Sequence, residues 1–345
     1  MAKNEQCKGN GSKTHGKRGF DRSSPFGRKR VDSFFFYLNR SLRSGISFQY
    51  GEPPRGKEAA MKTLGYYNGV AEEAEKLRIP ALDRACYFGD GVYDVTYSRN
   101  YRIFAMEEHI ANLFRSAAAV EMEPRITPDE AAALLRDLVA RMDTGENRIY
   151  IQFSRGTAPR AHAFPHGESR PNLLVLIFPA AVRDPYRPMR CITRPDTRFF
   201  HCNVKSLNLL PNVLASEAAE RAGADECILH RNGVVTECAH SNVSILLGGT
   251  LLTHPANERI YAGTGRAHLL SLCRAVGIPV EEKTYTLEEL KKADEILVTS
   301  ASVFCAPVLE LDGEPVGGGR PELVRALQDA LTDRYLKETN APSPV

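Results

Sequence analysis

The sequence predicts a mixed α/β protein of two domains, and three observations carry that reading. From Met61 onward, short strand-type stretches are interspersed with segments whose apolar residues recur at helical spacing. Tight-turn dipeptides join strand-type stretches at Asn68-Gly69, Asn232-Gly233, Gly248-Gly249 and Asp312-Gly313. A proline-punctuated stretch, "PAAVRDPYRP", interrupts any continuing element. It divides a smaller domain, 61–181, from a larger one, 187–340, with 182–186 as the linker.

Taken in order, "LGYYNGVAEE" reads as a hairpin suited to a type I′ turn. "GVYDVTYSRN" and "YRIFAM" read as two strands with a turn at Arg99-Asn100. "EEHIANLFRSAAAV" puts Ile110, Leu113, Phe114 and Ala117 on one helical face. The next helix, "TPDEAAALLRDLVARM", has Thr127 as N-cap and Pro128 at its first position. "NRIYIQFSRG" alternates as a strand and "NLLVLIF" is a buried one. Past the linker, "KSLNLLPNVLASEAAERAG" is a helix that tolerates Pro211 only in its first turn and ends at Gly223. Hairpins follow at "ECILHRNGVVTE" and "SILLGGTLLTHP", then a glycine-rich entry into a helix, "AGTGRAHLLSLCRAVG". "DEILVTSASVFCAPVLELDGEPV" reads as a strand, a hydroxyl-rich loop and a further hairpin.

The overall net charge of +3 conceals an asymmetry. Residues 1–60 hold 13 Lys/Arg against 5 Asp/Glu, so the rest of the chain is mildly acidic. That stretch is rich in Gly, Ser and basic residues without periodicity, and is expected to be a disordered extension that does not belong to the domain, which starts at Met61. No aromatic residue interleaves its charges in a stacking pattern, so nucleic acid is not the expected partner. No apolar run is long enough to span a membrane, and "FFFYL" is too short for a signal-peptide core. The 8 cysteines are scattered without a C-x-x-C pair or metal-ligand spacing, which fits reduced thiols in a cytoplasmic protein and no metal site.

The chemistry centres on Lys205, which stands where a polar loop turns into the alanine-rich helix. A lysine amine desolvated at such a place loses its proton and becomes a nucleophile for a carbonyl. Glu237, at a strand end in "VTECAHSNV", is by itself an ordinary loop charge. Paired with Lys205 it points to pyridoxal phosphate, which needs an amine for its aldehyde and an anion beside its ring nitrogen. A phosphate would lie on the helix start at "YAGTGRAHL", with Thr299, Ser300 and Ser302 of "VTSAS" as further donors. "RGTAPRAHAFPHG" gathers Arg155, Arg160, His162 and His166 in one loop, read as a carboxylate clamp against the plainer alternative of a solvated basic turn.

The ordered series "FGDGVYDV", "EEHIANLFRSA", "SRGTAPRAHAFP", "KSLNLLPNVLA", "ILHRNGVVTE", "SNV", "THPANERI" and "VTSAS" resembles the fold-type IV pyridoxal-phosphate enzymes, and among them the D-amino acid aminotransferases. The resemblance covers about Met61 to residue 335 and implies a small and a large domain with the cofactor in the cleft between them. It implies that Lys205 carries the cofactor and shuttles the proton, and that Glu237 faces the ring nitrogen. Tyr93, Arg160 and His162 fall where the substrate carboxylate is held, the last two on a loop that enters the partner subunit's site, which implies a homodimer. Thr264, Gly265, Ser300 and Ala301 fall at the phosphate, and Tyr261 where the ring packs. The family's phosphate-contacting arginine falls at Asn112, Gly265 and Ala301 replace hydroxyls, and Arg115 lies one turn beyond Asn112. The implied reaction is a ping-pong transamination between D-alanine and 2-oxoglutarate, giving pyruvate and D-glutamate. A branched-chain L-amino acid aminotransferase or an aminodeoxychorismate lyase would share Lys205 and Glu237, but the R-A-H loop disfavours both. A non-catalytic relative with a nucleic-acid arm is the remaining alternative.

Overall fold

The structure, a computed structural model, describes residues 63–166 and 169–340. The expectations for residues 1–60 and for a start at Met61 lie outside those residues. Among the described residues two sheets dominate. The first contains β1 (Leu64–Tyr67), β2 (Val70–Glu73), β3 (Gly91–Arg99), β4 (Arg102–Ile103), β5 (Asn147–Ser154) and β6 (Asn172–Pro179). Their order is β2-β1-β6-β5-β3-β4, and every pairing is antiparallel. Asn68 and Gly69 both have positive φ, as the type I′ hairpin requires. The β3–β4 turn falls one residue later than expected, on Asn100 and Tyr101, because Arg99 still pairs with Arg102.

Alternation along these strands gives the sheet two different faces. Val92, Ile149, Ile151, Phe153, Val175 and Ile177 are buried against two helices, α2 (Met106–Ala119) and α3 (Pro128–Ala140). These follow the short α1 (Arg84–Phe88). Thr127 and Glu130 form a reciprocal capping box at the start of α3. The opposite face presents Tyr93, Val95 and Tyr97 of β3 with Arg148 and Tyr150 of β5 to a cleft.

The second sheet contains β7 (Met189–Pro195), β8 (Glu226–Arg231), β9 (Val234–Cys238), β10 (Asn242–Leu247), β11 (Thr250–Thr253), β12 (Val280–Glu282), β13 (Glu295–Thr299), β14 (Ala306–Leu311) and β15 (Glu314–Pro315). Its order is β12-β11-β10-β13-β14-β7-β8-β9, with β15 paired to β14. The β14–β7, β7–β8 and β11–β12 pairings are parallel. The helices of this half are α4 (Leu210–Arg221), α5 (Thr264–Ala275), α6 (Leu287–Lys291) and α7 (Pro321–Asn340). Sequence periodicity did not single out α6, α7 or β12. The long α7 packs Leu327, Leu331 and Tyr335 into a cluster with Leu269, Phe104 and Phe304. The alanine-rich helix after Lys205 is only partly packed. Ala215 and Ala219 of α4 are buried, whereas Leu210, Val213 and Leu214 are 69%, 58% and 61% exposed.

Candidate active site

The segment before α4 is held as an edge against β3. Tyr93 N–H donates to the Lys205 carbonyl at 2.9 Å, and Leu207 N–H donates to the Gly91 carbonyl at 3.0 Å. Lys205 N–H donates to Ser116 Oγ of α2 at 3.3 Å. Residue 91 has to be glycine here, since a Cβ would lie 2.5 Å from the Phe153 carbonyl oxygen and 2.7 Å from Leu207 Cδ1. These contacts fix the backbone from which Lys205 reaches into the cleft, a space of about 520 Å³.

Lys205 Nζ lies 4.7 Å from the ring centroid of Tyr93 and 4.7 Å from that of Tyr261, between two aromatic walls. Burial alone would discharge the amine, as expected from the sequence. The neighbouring Tyr93, Asp94 and Glu237 outweigh it and raise its pKa above the ordinary lysine value, so the free amine is held as an ammonium. Tyr261 Oη donates to Asp94 Oδ2 at 3.2 Å, and His109 Nδ1 of α2 lies 2.8 Å from Asp94 Oδ1. Burial, followed by the charge of Asp94, pushes the Tyr261 phenol well above its usual value.

Glu237, near the end of β9, is buried in the same cleft. Its carboxylate accepts from Arg198 Nη1, from Asn242 Nδ2 at 2.9 Å and from Tyr261 N–H at 3.1 Å. Burial pushes its pKa up to about 7, against the opposing pull of Arg198 and the Tyr261 amide. Arg198 is itself shared, donating to both oxygens of Asp196 at 3.0 and 2.9 Å. Arg231 and Thr236 also donate to Asp196, at 3.1 and 3.0 Å. Burial would raise the Asp196 carboxyl, but its bonds to Arg198 and Arg231 bring it down to about 2. Glu237 thus holds its proton close to neutrality, while a permanently charged network behind it fixes its orientation.

In the same cleft α5 begins at Thr264 with Gly263 as N-cap, and Gly263 N–H donates at 3.2 Å to Oδ1 of the Asn242 that bonds Glu237. Its first intrahelical bond comes from Ala267 N–H, which leaves the amides of Thr264, Gly265 and Arg266 available. The turn 300–302 comes so close that a Cβ on Gly265 would lie 2.8 Å from the Ser300 carbonyl oxygen and 3.1 Å from its nitrogen. Ser300 Oγ accepts from the amides of Ser302 and Val303. Thr299 Oγ1 is buried on the cleft wall and has no partner among the described residues. Free helix-start amides, hydroxyls and one orphaned buried oxygen fit an anion such as a phosphate. The Lys205 amine and the Glu237 carboxylate in the same cleft fit the rest of a pyridoxal group. The residues present therefore fit that cofactor.

Of the sequence candidates, Lys205, Glu237, Tyr93, Tyr261, Thr264, Gly265, Ser300 and Ala301 all line the one cleft. Asn112 does not; it is buried behind Thr264, whose hydroxyl it touches. Arg160 and His162 are also away from the cleft of their own chain. They are exposed and flank Phe88, with the guanidinium 5.0 Å and the imidazole 5.1 Å from its ring. Arg155, grouped with them as a clamp candidate, is a structural residue. Its Nε donates to Asp90, and its two Nη groups to the carbonyls of Glu121 and Val120. The sequence reading missed Arg198, Asp196, Asn242, Asp94 and His109. Asp94, His109 and Asn242 lie inside the stretches "FGDGVYDV", "EEHIANLFRSA" and "SNV", whereas Asp196 and Arg198 lie in no motif.

A model of the family described as "Amino-transferase class IV" matches residues 91–311. The chain is 36% identical over 282 residues to a D-alanine aminotransferase of Bacillus licheniformis, covering 81% of this chain and 99% of that one. Among solved structures, the branched-chain amino acid aminotransferase of Escherichia coli superposes with a TM-score of 0.73 at 22% identity, over 81% of this chain and 96% of the other. The branched-chain aminotransferase of the thermophilic archaeon Thermoproteus uzoniensis, solved with norvaline, gives a TM-score of 0.72 at 21% identity, over 80% and 95%. The chain belongs to the class IV aminotransferases, enzymes that use pyridoxal phosphate. It is similar to D-alanine aminotransferases over most of its length and shares its fold with the branched-chain enzymes.

Proposed function

We propose that this enzyme binds pyridoxal phosphate through Lys205 and moves an amino group from a D-amino acid, D-alanine first, to a 2-oxo acid such as 2-oxoglutarate. The observation that carries the reading is the cleft in which Lys205 Nζ sits between Tyr93 and Tyr261, with Glu237 in the same wall. The identity to D-alanine aminotransferases supports the choice of the D series. Bound there, pyridoxal phosphate supplies an aldehyde for the amine and a ring that takes up the electron pair left at the substrate Cα.

The chain's own residues do the rest. Thr264, Gly265 and Ser300, with the Ala301 amide, hold the phosphate at the start of α5. Glu237 shares its proton with the ring nitrogen, and Arg198 keeps the carboxylate in place. Lys205, once displaced by substrate as the neutral amine, would accept the α-proton at Nζ as general base and pass it to the cofactor carbon that carried the aldehyde, and the second half-reaction would run the same transfer in reverse. Tyr93 offers its hydroxyl to the substrate carboxylate. Arg160 and His162 stand away from their own cleft, which supports a homodimer in which each protomer's loop completes the carboxylate site of its partner. Exposed Leu210, Val213, Leu214 and Phe200 offer apolar surface for that contact. The division into domains 61–181 and 187–340, joined through 182–186, is part of the proposal. Seven described cysteines are all free, in keeping with a cytoplasmic setting.

The test is a visible absorption titration of protein reconstituted with pyridoxal phosphate. D-alanine should bleach the band of the lysine-bound cofactor, and a branched-chain L-amino acid should not. Lys205→Ala should lack the band and all turnover. Bleaching by the L-substrate alone would overturn the stereochemical assignment, and no band in the parent protein would overturn the cofactor assignment.

A further inference from the structure

Among the described residues no Lys or Arg side chain hydrogen-bonds to the hydroxyls of the proposed phosphate cup, yet a cation lies two hydrogen bonds away. Arg115 Nη2 donates to Asn112 Oδ1 at 2.7 Å, one turn along α2. Asn112 Nδ2 in turn donates to Thr264 Oγ1 at 3.0 Å, across to the first residue of α5. The direction of this chain is determined by its ends. A guanidinium has only donors, so the amide oxygen must face Arg115 and the amide nitrogen must face Thr264. A hydroxyl has one proton to give. With a lone pair occupied by Asn112, Thr264 is left to donate that proton into the cleft, beside the free amides of α5 and the orphaned Thr299 Oγ1. Asn112 and Thr264 are both at least nine-tenths buried, whereas Arg115 is exposed, so the charge remains in water while its polarising effect reaches the cup.

We infer that Arg115 and Asn112 are positioning residues for the anionic group held at the start of α5. Arg115 supplies the charge, and Asn112 sets the direction in which Thr264 donates. Neither touches the ligand. The inference rests on the reading of this cleft as a pyridoxal-phosphate site. A purely mechanical role, knitting α2 to α5, would serve the phosphate and the ring alike. The two roles separate when the cofactor is compared with pyridoxal, which has the same ring and aldehyde without the phosphate.

Two variants of the full chain test this by equilibrium dialysis against pyridoxal phosphate and against pyridoxal. Asn112→Asp keeps the contact to Arg115 but can only accept, so it draws the Thr264 proton away from the cup. Affinity for pyridoxal phosphate should fall by about tenfold, the loss expected for one charge-assisted hydrogen bond, and affinity for pyridoxal by less than about twofold. Arg115→Gln retains a donor to Asn112 without its charge; it should weaken pyridoxal phosphate several-fold, again sparing pyridoxal. The melting temperature of cofactor-free Asn112→Asp should not drop, because the new carboxylate pairs with Arg115. Equal losses for both compounds, or no loss for the phosphorylated one, would overturn the relay. If the parent protein took up neither compound, the reading of the site would itself fall, and the relay with it.

Discussion

Glu237 allows a stability measurement to probe the centre of the site without any substrate. Burial moves its carboxyl from an ordinary 4.5 to about 7 in the folded chain. Between those values the folded state keeps a proton that the unfolded state has released, so stability falls as pH rises through this window. The contribution is largest below the unfolded value and gone above the folded one. Integrated between pH 5 and pH 8, the linkage is worth about 2–3 kcal/mol. Glu237→Gln removes the titration and leaves Arg198 its bonds to Asp196, so no buried guanidinium is orphaned. The substituted amide nitrogen would face two donors, Asn242 Nδ2 and the Tyr261 amide, at a cost that does not depend on pH. The level of stability is therefore uninformative, and the slope is the readout. Urea unfolding of the cofactor-free protein at pH 5 and pH 8 should show the parent losing about 2–3 kcal/mol more than the variant over that interval. Equal slopes would mean that Arg198 keeps Glu237 ionised throughout, and the picture of a carboxyl holding its proton near neutrality would be wrong.

Two further substitutions test the cup and the aromatic wall. Gly265→Ala places a Cβ 2.8 Å from the Ser300 carbonyl oxygen, which is backbone and cannot swing aside, so α5 and the 300–302 turn must separate. Dialysis should show at least about tenfold weaker retention of pyridoxal phosphate, in line with overpacking costs of about 1–3 kcal/mol; unchanged retention would mean the cup does not depend on this close approach. Tyr261→Phe removes the hydroxyl that donates to Asp94, and thermal unfolding at pH 7 should register a loss of about 1.5–3 kcal/mol, as for a bond to a charged acceptor. An unshifted midpoint would show that His109 and the Val95 amide suffice for Asp94.

What could be read from the sequence was local, and what could not was long-range. The hairpin at Asn68-Gly69, the capping box at Thr127 and the glycine entry into α5 are each specified within a few residues, and each forms where its chemistry requires. That Lys205 and Glu237 share one cleft was also legible, because their motifs stand in the order of a family the sequence resembles. The charges that orient them were not. Arg198 reaches Glu237 across 39 positions, and Asn112 meets Thr264 across 152, separations over which no periodicity carries information.

The loop at 155–166 shows the same limit within a single motif. Arg155 and Arg160 share a residue type, a loop and a basic neighbourhood, and both were assigned to one clamp. Their fates differ because Asp90, 65 positions upstream of Arg155, takes its Nε, while the carbonyls of Val120 and Glu121 take the rest of its guanidinium. Arg84 completes the brace by bonding Asp90 at 2.7 Å and the Ala161 carbonyl at 2.6 Å. Two buried arginines thus share one carboxylate, Arg155 at the base of the loop and Arg84 holding the backbone at Ala161, next to the exposed Arg160. An exposed guanidinium held on a braced loop is suited to a ligand delivered from outside the chain, because its position is set before the ligand arrives and little ordering entropy remains to be lost. In the proposed carboxylate site Arg155 would act by keeping Arg160 in position, a role that residue identity alone does not reveal.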